Sequence, residues 1–130
     1  MSSLSKYAPL FLGVLRIVVA LLFIEHGTQK LLGFPAPMQI PGGLPPLLVV
    51  AGFLEIAGGI LLLLGLFTRP VAFILSGEMA VAFWMMHFPR GGLYPVLNGG
   101  DAAVLFCFVF LYLVFAGPGA LSVDSLRRGR

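Results

Sequence analysis

Apolar residues fall in four long blocks separated by clusters of glycine and proline. Blocks of about 17–25 apolar residues are long enough to cross a bilayer as helices, and these run from about Pro9 to Leu32, Leu47 to Leu66, Pro70 to Phe88 and Val96 to Ala116. In the second block thirteen Leu, Ile, Val or Phe residues stand against one acid, Glu55. At roughly −0.5 kcal/mol each they outweigh a charge cost of about +3 kcal/mol. The punctuation between blocks excludes continuous helix: Gly33 to Pro37 and Pro41 to Pro46, then Thr68-Arg69-Pro70, then Pro89 to Gly92 and Asn98 to Asp101. Asn98 or Asp101 is placed to cap the last helix.

The pattern predicts an all-α fold, a transmembrane four-helix bundle forming one domain over residues 1–130, with residues 117–130 as a short basic tail. Composition agrees. Apolar residues make up 59% of the 130 and charged residues only 10%, against about 25% charged in soluble domains. The first block contains Arg16 and lacks a small-residue cleavage site, so it reads as a span rather than a cleaved signal. Four spans put both termini on one side with Lys6, Arg69, Arg127, Arg128 and Arg130; Lys30 and Arg90 fall on the other. The excess of basic residues makes the first side cytoplasmic. No basic stripe suited to nucleic acid exists. Cys107 is the single cysteine, which excludes dithiol chemistry by this chain alone.

Ionisable residues inside spans are costly and mark candidate sites. Here they are Arg16, Glu25, His26, Glu55, Glu78 and His87, with Asp101 opening the last span. Depths at about 1.5 Å per residue place Glu55 near the midplane and put Glu25, His26, Gln29, His87, Asn98 and Asp101 toward the outer face. These seven residues are the candidates for a ligand or proton pocket. Arg16 and Glu78 lie at similar depth with opposite charge and are expected to form a buried ion pair. Nine residues separate Glu78 from His87, half a helical turn out of phase, so the two need not share one site. Gly52, Gly58, Gly59 and Gly65 run along the second span; they either let helices approach closely or leave room for a ligand beside Glu55. The fourth span's Phe106, Phe108, Phe110 and Phe115 read as lipid-facing bulk, and no metal-ligating pattern occurs.

Several segments together resemble the DoxX family of small four-span membrane proteins. They are Arg16 through Glu25-His26-Gly27-Thr28-Gln29-Lys30-Leu31, Gly52-Phe53-Leu54-Glu55-Ile56-Ala57-Gly58-Gly59, Leu66-Phe67-Thr68-Arg69, Ala82 through His87, Asn98-Gly99-Gly100-Asp101, and Phe110 through Gly119. The resemblance covers nearly the whole chain. It implies a bacterial inner-membrane protein linked to respiratory redox, in one branch the membrane subunit of thiosulfate:quinone oxidoreductases and in others tolerance of quinones or thiol stress. It transfers no catalytic role to any residue. The expected function is a redox accessory that binds a quinone-like or small thiol/sulfur compound in an outer-facing pocket. No tightly bound cofactor is expected, since haem, dinucleotide and dithiol patterns are missing. Electrons would come from a soluble or membrane redox partner, and a homo-oligomer is the other expected association. A proton-coupled transporter and a ligand-free structural subunit are the alternatives.

Overall fold

A computed structural model describes residues 2–129; Arg130, counted above among the basic residues, lies outside them. Among the described residues there are helices and no strands. The short α1 (Ser2–Ser5) leads into α2 (Ala8–Leu32), and α3 spans Pro46–Leu64. Next, α4 (Thr68–Ala82) runs through a π-helical turn (Phe83–His87) into α5 (Phe88–Gly91). The one-turn α6 (Pro95–Asn98), α7 (Asp101–Ala116) and α8 (Val123–Arg128) complete the chain.

Helix ends follow local chemistry. Pro46 opens α3, where its missing N–H costs nothing, and Gly33 and Gly65 close α2 and α3 in the left-handed conformation that glycine adopts without strain. Three helical stretches are long and apolar enough to cross a membrane: Ala8–Leu32, Pro46–Leu64 and Thr68–Gly91. The fourth expected span is broken. Gly99, at φ 73°, separates α6 from α7, and the 16 residues of α7 reach only about 24 Å of a core about 30 Å thick. Neither Asn98 nor Asp101 acts as the N-cap of α7; Gly100 holds that position. Asn98 Oδ1 accepts the Gly100 N–H at 2.9 Å, so its side chain staples the break.

Packing divides the bundle into two close pairs, α2 with α3 and α4 with α7. A Cβ on Gly52 would sit 2.7 Å from Leu31, and one on Gly59 2.5 Å from Ile24. Gly58 in turn receives Leu75 of α4. The glycines of α3 therefore serve helix packing. Ser76 Oγ donates to the Cys107 carbonyl at 2.8 Å, joining α4 to α7. Only half of the phenylalanine expectation for α7 holds. Phe106 and Phe110 are buried edge-on against Phe23 at 5.2 and 4.9 Å, whereas Phe108 and Phe115 are exposed. Positions 106 and 110 are four apart and share the inward face.

Residues 117–128 do not form a loose tail. The Ala120 N–H donates to the Pro9 carbonyl, and the Asp124 N–H to the Gly65 carbonyl, both at 2.9 Å. Gly13 and Gly119 let the loop lie directly on α2, where a side chain at either would strike backbone. Both ends of the chain thus gather at one end of the bundle.

Candidate functional site

At the end holding the termini, charged side chains satisfy backbone groups. Arg16 is fully buried. Its Nε donates to the Leu62 carbonyl at 2.9 Å and its Nη2 to the Leu121 carbonyl at 2.7 Å. Its Nη1 donates to the carbonyls of Pro118 and Ala120. One guanidinium therefore binds α2, the last turn of α3 and the loop before α8, using the planar fork that suits arginine to multiple acceptors. The expected Arg16–Glu78 ion pair does not form. One carbonyl of the last turn of α3 and three of the loop before α8 capture the guanidinium instead.

Two further residues complete this network. Arg69 Nη1 donates to the carbonyls of Val114 and Phe115 at 2.9 and 2.8 Å, covering the C-terminus of α7. Asp124 accepts the N–H groups of Phe67 and Thr68 at 2.9 Å each, capping α4 from outside its own sequence. Partial burial of Asp124 pushes its pKa upward, but the donors from Thr68 and Phe67, with Arg127 nearby, outweigh it and hold the carboxyl below its ordinary 3.8.

The other end of the bundle encloses a cavity of about 480 Å³, lined by α2, α3, the helical stretch from α4 to α5, and α7. Glu55 is 1% exposed and pairs with Lys30 Nζ at 2.8 Å. This is the single ion pair among the described residues, and it is not the one the sequence suggested. Glu78 also lines the cavity. Its two carboxyl oxygens are buried outside ordinary hydrogen-bond geometry, yet the Glu55 carboxyl stands close enough to act on it as both a hydrogen-bond partner and a like charge, with Lys30 acting in the opposite sense. Glu55 stands nine residues before the end of α3 and Glu78 ten after the start of α4. The helices run antiparallel, so both acids lie about 14–15 Å from the terminal end.

Four of the seven pocket candidates border the cavity: His26, Gln29, Glu55 and His87. His26 stacks edge-on against Phe106 at 5.4 Å. His87 Nδ1 faces the Asn98 carbonyl at 3.2 Å. A carbonyl only accepts, so Nδ1 carries a proton. His87 shares the cavity with Glu78 because the π turn from Phe83 to His87 widens the helix and shifts its phase. Such turns occur frequently at functional sites.

The other three candidates stand outside the cavity lining. Glu25 and Asp101 are exposed, and Asn98 is buried at the end of α6, donating from Nδ2 to the Gly92 carbonyl at 2.7 Å. Lys30, Glu78 and Arg90 border the cavity although they were not among the candidates. Similar depth from the end where the termini gather was the available signal for Glu78. Lys30 was placed only by its charge, on the side away from the termini, and its long arm turns inward to Glu55. Together these groups supply hydrogen-bond donors (Lys30, Arg90, Gln29), acceptors and acids on an otherwise apolar wall, which is the usual make-up of a small-molecule site.

Long apolar helices around a cavity that holds an ion pair and a second buried acid define a helical membrane protein with a candidate site among its helices. The chain belongs to the DoxX family, whose model matches residues 11–88. It is 52% identical over 129 residues to an uncharacterized protein of Haemophilus influenzae, covering 96% of each chain. It is 32% identical over 125 residues to the inner membrane protein YphA of Escherichia coli, covering 89% of each. At 25% identity over 114 residues, 85% of this chain and 82% of the other, it matches Bacillus subtilis CatD, named provisionally as an oxidoreductase. No solved structure matches. These relatives and the apolar helices make the chain a multi-pass protein of the inner membrane.

Proposed function

We propose that this protein is a redox-associated accessory subunit that binds a quinone-like or small thiol/sulfur compound in the intramembrane cavity. In this reading four helical segments traverse the bilayer, α7 with help from α6, and both termini are cytoplasmic. Lys6, Arg69, Arg127 and Arg128 then lie inside and Lys30 and Arg90 outside, following the positive-inside bias. The cavity therefore opens toward the outer half of the membrane. The observation that carries the reading is the meeting of His87, Lys30, Glu55 and Glu78 around one cavity in an apolar setting. Carbonyl or sulfur acceptors on a ligand need donors such as Lys30 and Gln29, and proton-coupled reduction needs acids at hand. The name of the relative CatD supports the redox assignment. Electrons would pass from a partner protein, since Cys107 is the chain's single cysteine.

The test is thermal unfolding of the purified full-length protein against a panel of quinones and small thiols. A bound ligand at a hundredfold its Kd stabilises the fold by about 2.7 kcal/mol, and a clear rise in Tm for one member is expected. A flat response across both classes would overturn the proposal. The buried, closely placed carboxyls of Glu55 and Glu78 support a second reading, proton-coupled transport. That reading requires proton flux into liposomes that Glu78→Gln abolishes.

A further inference from the structure

The opening of the cavity points to how a ligand arrives. Around the bundle, α2 lies tightly on α3 through Gly27, Gly52 and Gly59, where any added Cβ would meet α2 or α3 atoms within 3 Å. Ser76 ties α4 to α7. By contrast, α3 and α4 touch where Leu75 fills the space over Gly58 and part beyond that level. Leu47, Val50 and Ala51 on one side and Ile74, Gly77 and Val81 on the other border the cavity. A Cβ on Gly77 would meet nothing within 4 Å.

Four of these bordering side chains, Leu47, Val50, Ile74 and Val81, are also more than half exposed, at 53%, 63%, 55% and 53%. Met85, one turn further along, borders the cavity at 52% exposure. They therefore face the cavity and the surroundings at once, which makes the gap a window rather than an interior void. From Ile74 to Met85 the window extends about 16 Å along the helix, at the depth of the hydrocarbon core. Its rim is apolar, and its floor carries Glu55 and Glu78.

We propose that the gap between α3 and α4 is a lateral portal to the bilayer. The ligand is then a lipid-dissolved molecule whose polar head reaches the Lys30–Glu55–Glu78 group while its apolar tail lies through the window. This rests on the functional reading above and narrows it, favouring a tailed quinone over a water-soluble thiol or sulfur anion. A polar solute would have to cross hydrocarbon to use this entrance, whereas a tailed one covers Val50, Ile74 and Val81 with its own apolar surface.

Gly77 provides the test. Substitution with Phe enters open space and replaces a poor helix former with a better one, so the fold should keep its Tm while the window is plugged. Binding of decylubiquinone and of its tail-less ring analogue, 2,3-dimethoxy-5-methylbenzoquinone, is measured on full-length wild type, Gly77→Phe and the smaller Gly77→Leu in detergent. Wild type is expected to bind the tailed probe more tightly, and Gly77→Phe to weaken it by roughly tenfold or more. The tail-less probe should change by less than about threefold. Should Phe unfold the protein, Gly77→Leu is read by the same criterion. Unchanged decylubiquinone binding, or equal loss of both probes, overturns the portal. So does conversion of an oligomer to a monomer by Gly77→Phe, which would assign the window to a second copy. Wild type that binds only the tail-less probe overturns the portal and leaves the functional reading standing. Wild type that binds neither quinone, nor any small thiol in the wider panel, overturns both.

Discussion

The two ends of this bundle handle buried charge in opposite ways. Where the termini gather, Arg16, Arg69 and Asp124 each meet backbone groups of a different segment around a tightly packed loop. Around the cavity, Lys30 and Glu55 pair with each other while Glu78 crowds the Glu55 carboxyl without a hydrogen bond of ordinary geometry. A charge tied to helix ends and loop carbonyls fixes how the segments sit. A charge facing a cavity beside a second buried acid holds interaction capacity in reserve, and that capacity is available to a ligand. Residues of the same chemical type therefore predict different consequences depending on which end they occupy.

The comparison is broken most directly at Arg16. Arg16→Met strands four carbonyl groups that the guanidinium now serves. A loss of about 4 kcal/mol is expected in detergent unfolding, and Arg16→Lys should restore little because an ammonium cannot reproduce the fork. At the cavity end, Lys30→Met leaves Glu55 buried alone and should cost about 3 kcal/mol. Adding Glu55→Gln removes the stranded charge, so the double variant should return to within about 1 kcal/mol of wild type. A double variant as damaged as the single one would mean that the pair organises the fold as Arg16 does.

Asp124 sharpens the contrast at smaller scale. Loss of its cap in Asp124→Ala should cost about 1 kcal/mol. A carboxyl held below its ordinary 3.8 in the folded state contributes stability above that value and loses it as the pH falls through the lower folded value. The wild-type minus Asp124→Ala difference in Tm should therefore be flat at neutral pH and shrink only in strongly acidic buffer. The smallest effects on stability, under about 1 kcal/mol, are expected for Glu78→Gln and His87→Ala. Both should nevertheless weaken ligand binding.

The spans and several of the polar residues that border the cavity were legible because each rests on a large local signal. Apolar blocks with Gly and Pro punctuation located three helical stretches to within a few residues. The rarity of charge in lipid pointed to Glu55, His26 and His87. What escaped depended on three-dimensional accidents of reach and phase. Arg16 and Glu78 looked complementary by depth, yet a long arginine takes whichever acceptors lie nearest, and here those were carbonyls of a loop more than a hundred residues away in sequence. Regular helix periodicity separated His87 from Glu78, and the π turn between Phe83 and His87 has no periodic signature to announce it. The break at Gly99 was present in the Asn98-Gly99-Gly100-Asp101 run, but the apolar residues on both sides concealed it. The inward turn of Lys30 had no local signal at all.

The central claim is that the charged groups around the cavity serve a ligand while those at the terminal end serve the fold. One measurement addresses it most directly: the Tm of a Glu78→Gln/His87→Ala double variant with and without a quinone that stabilises the wild type. The account predicts a ligand-free Tm close to wild type together with loss of the quinone-induced rise. A double variant that melts as early as Arg16→Met, or one that still responds fully to the quinone, would contradict it.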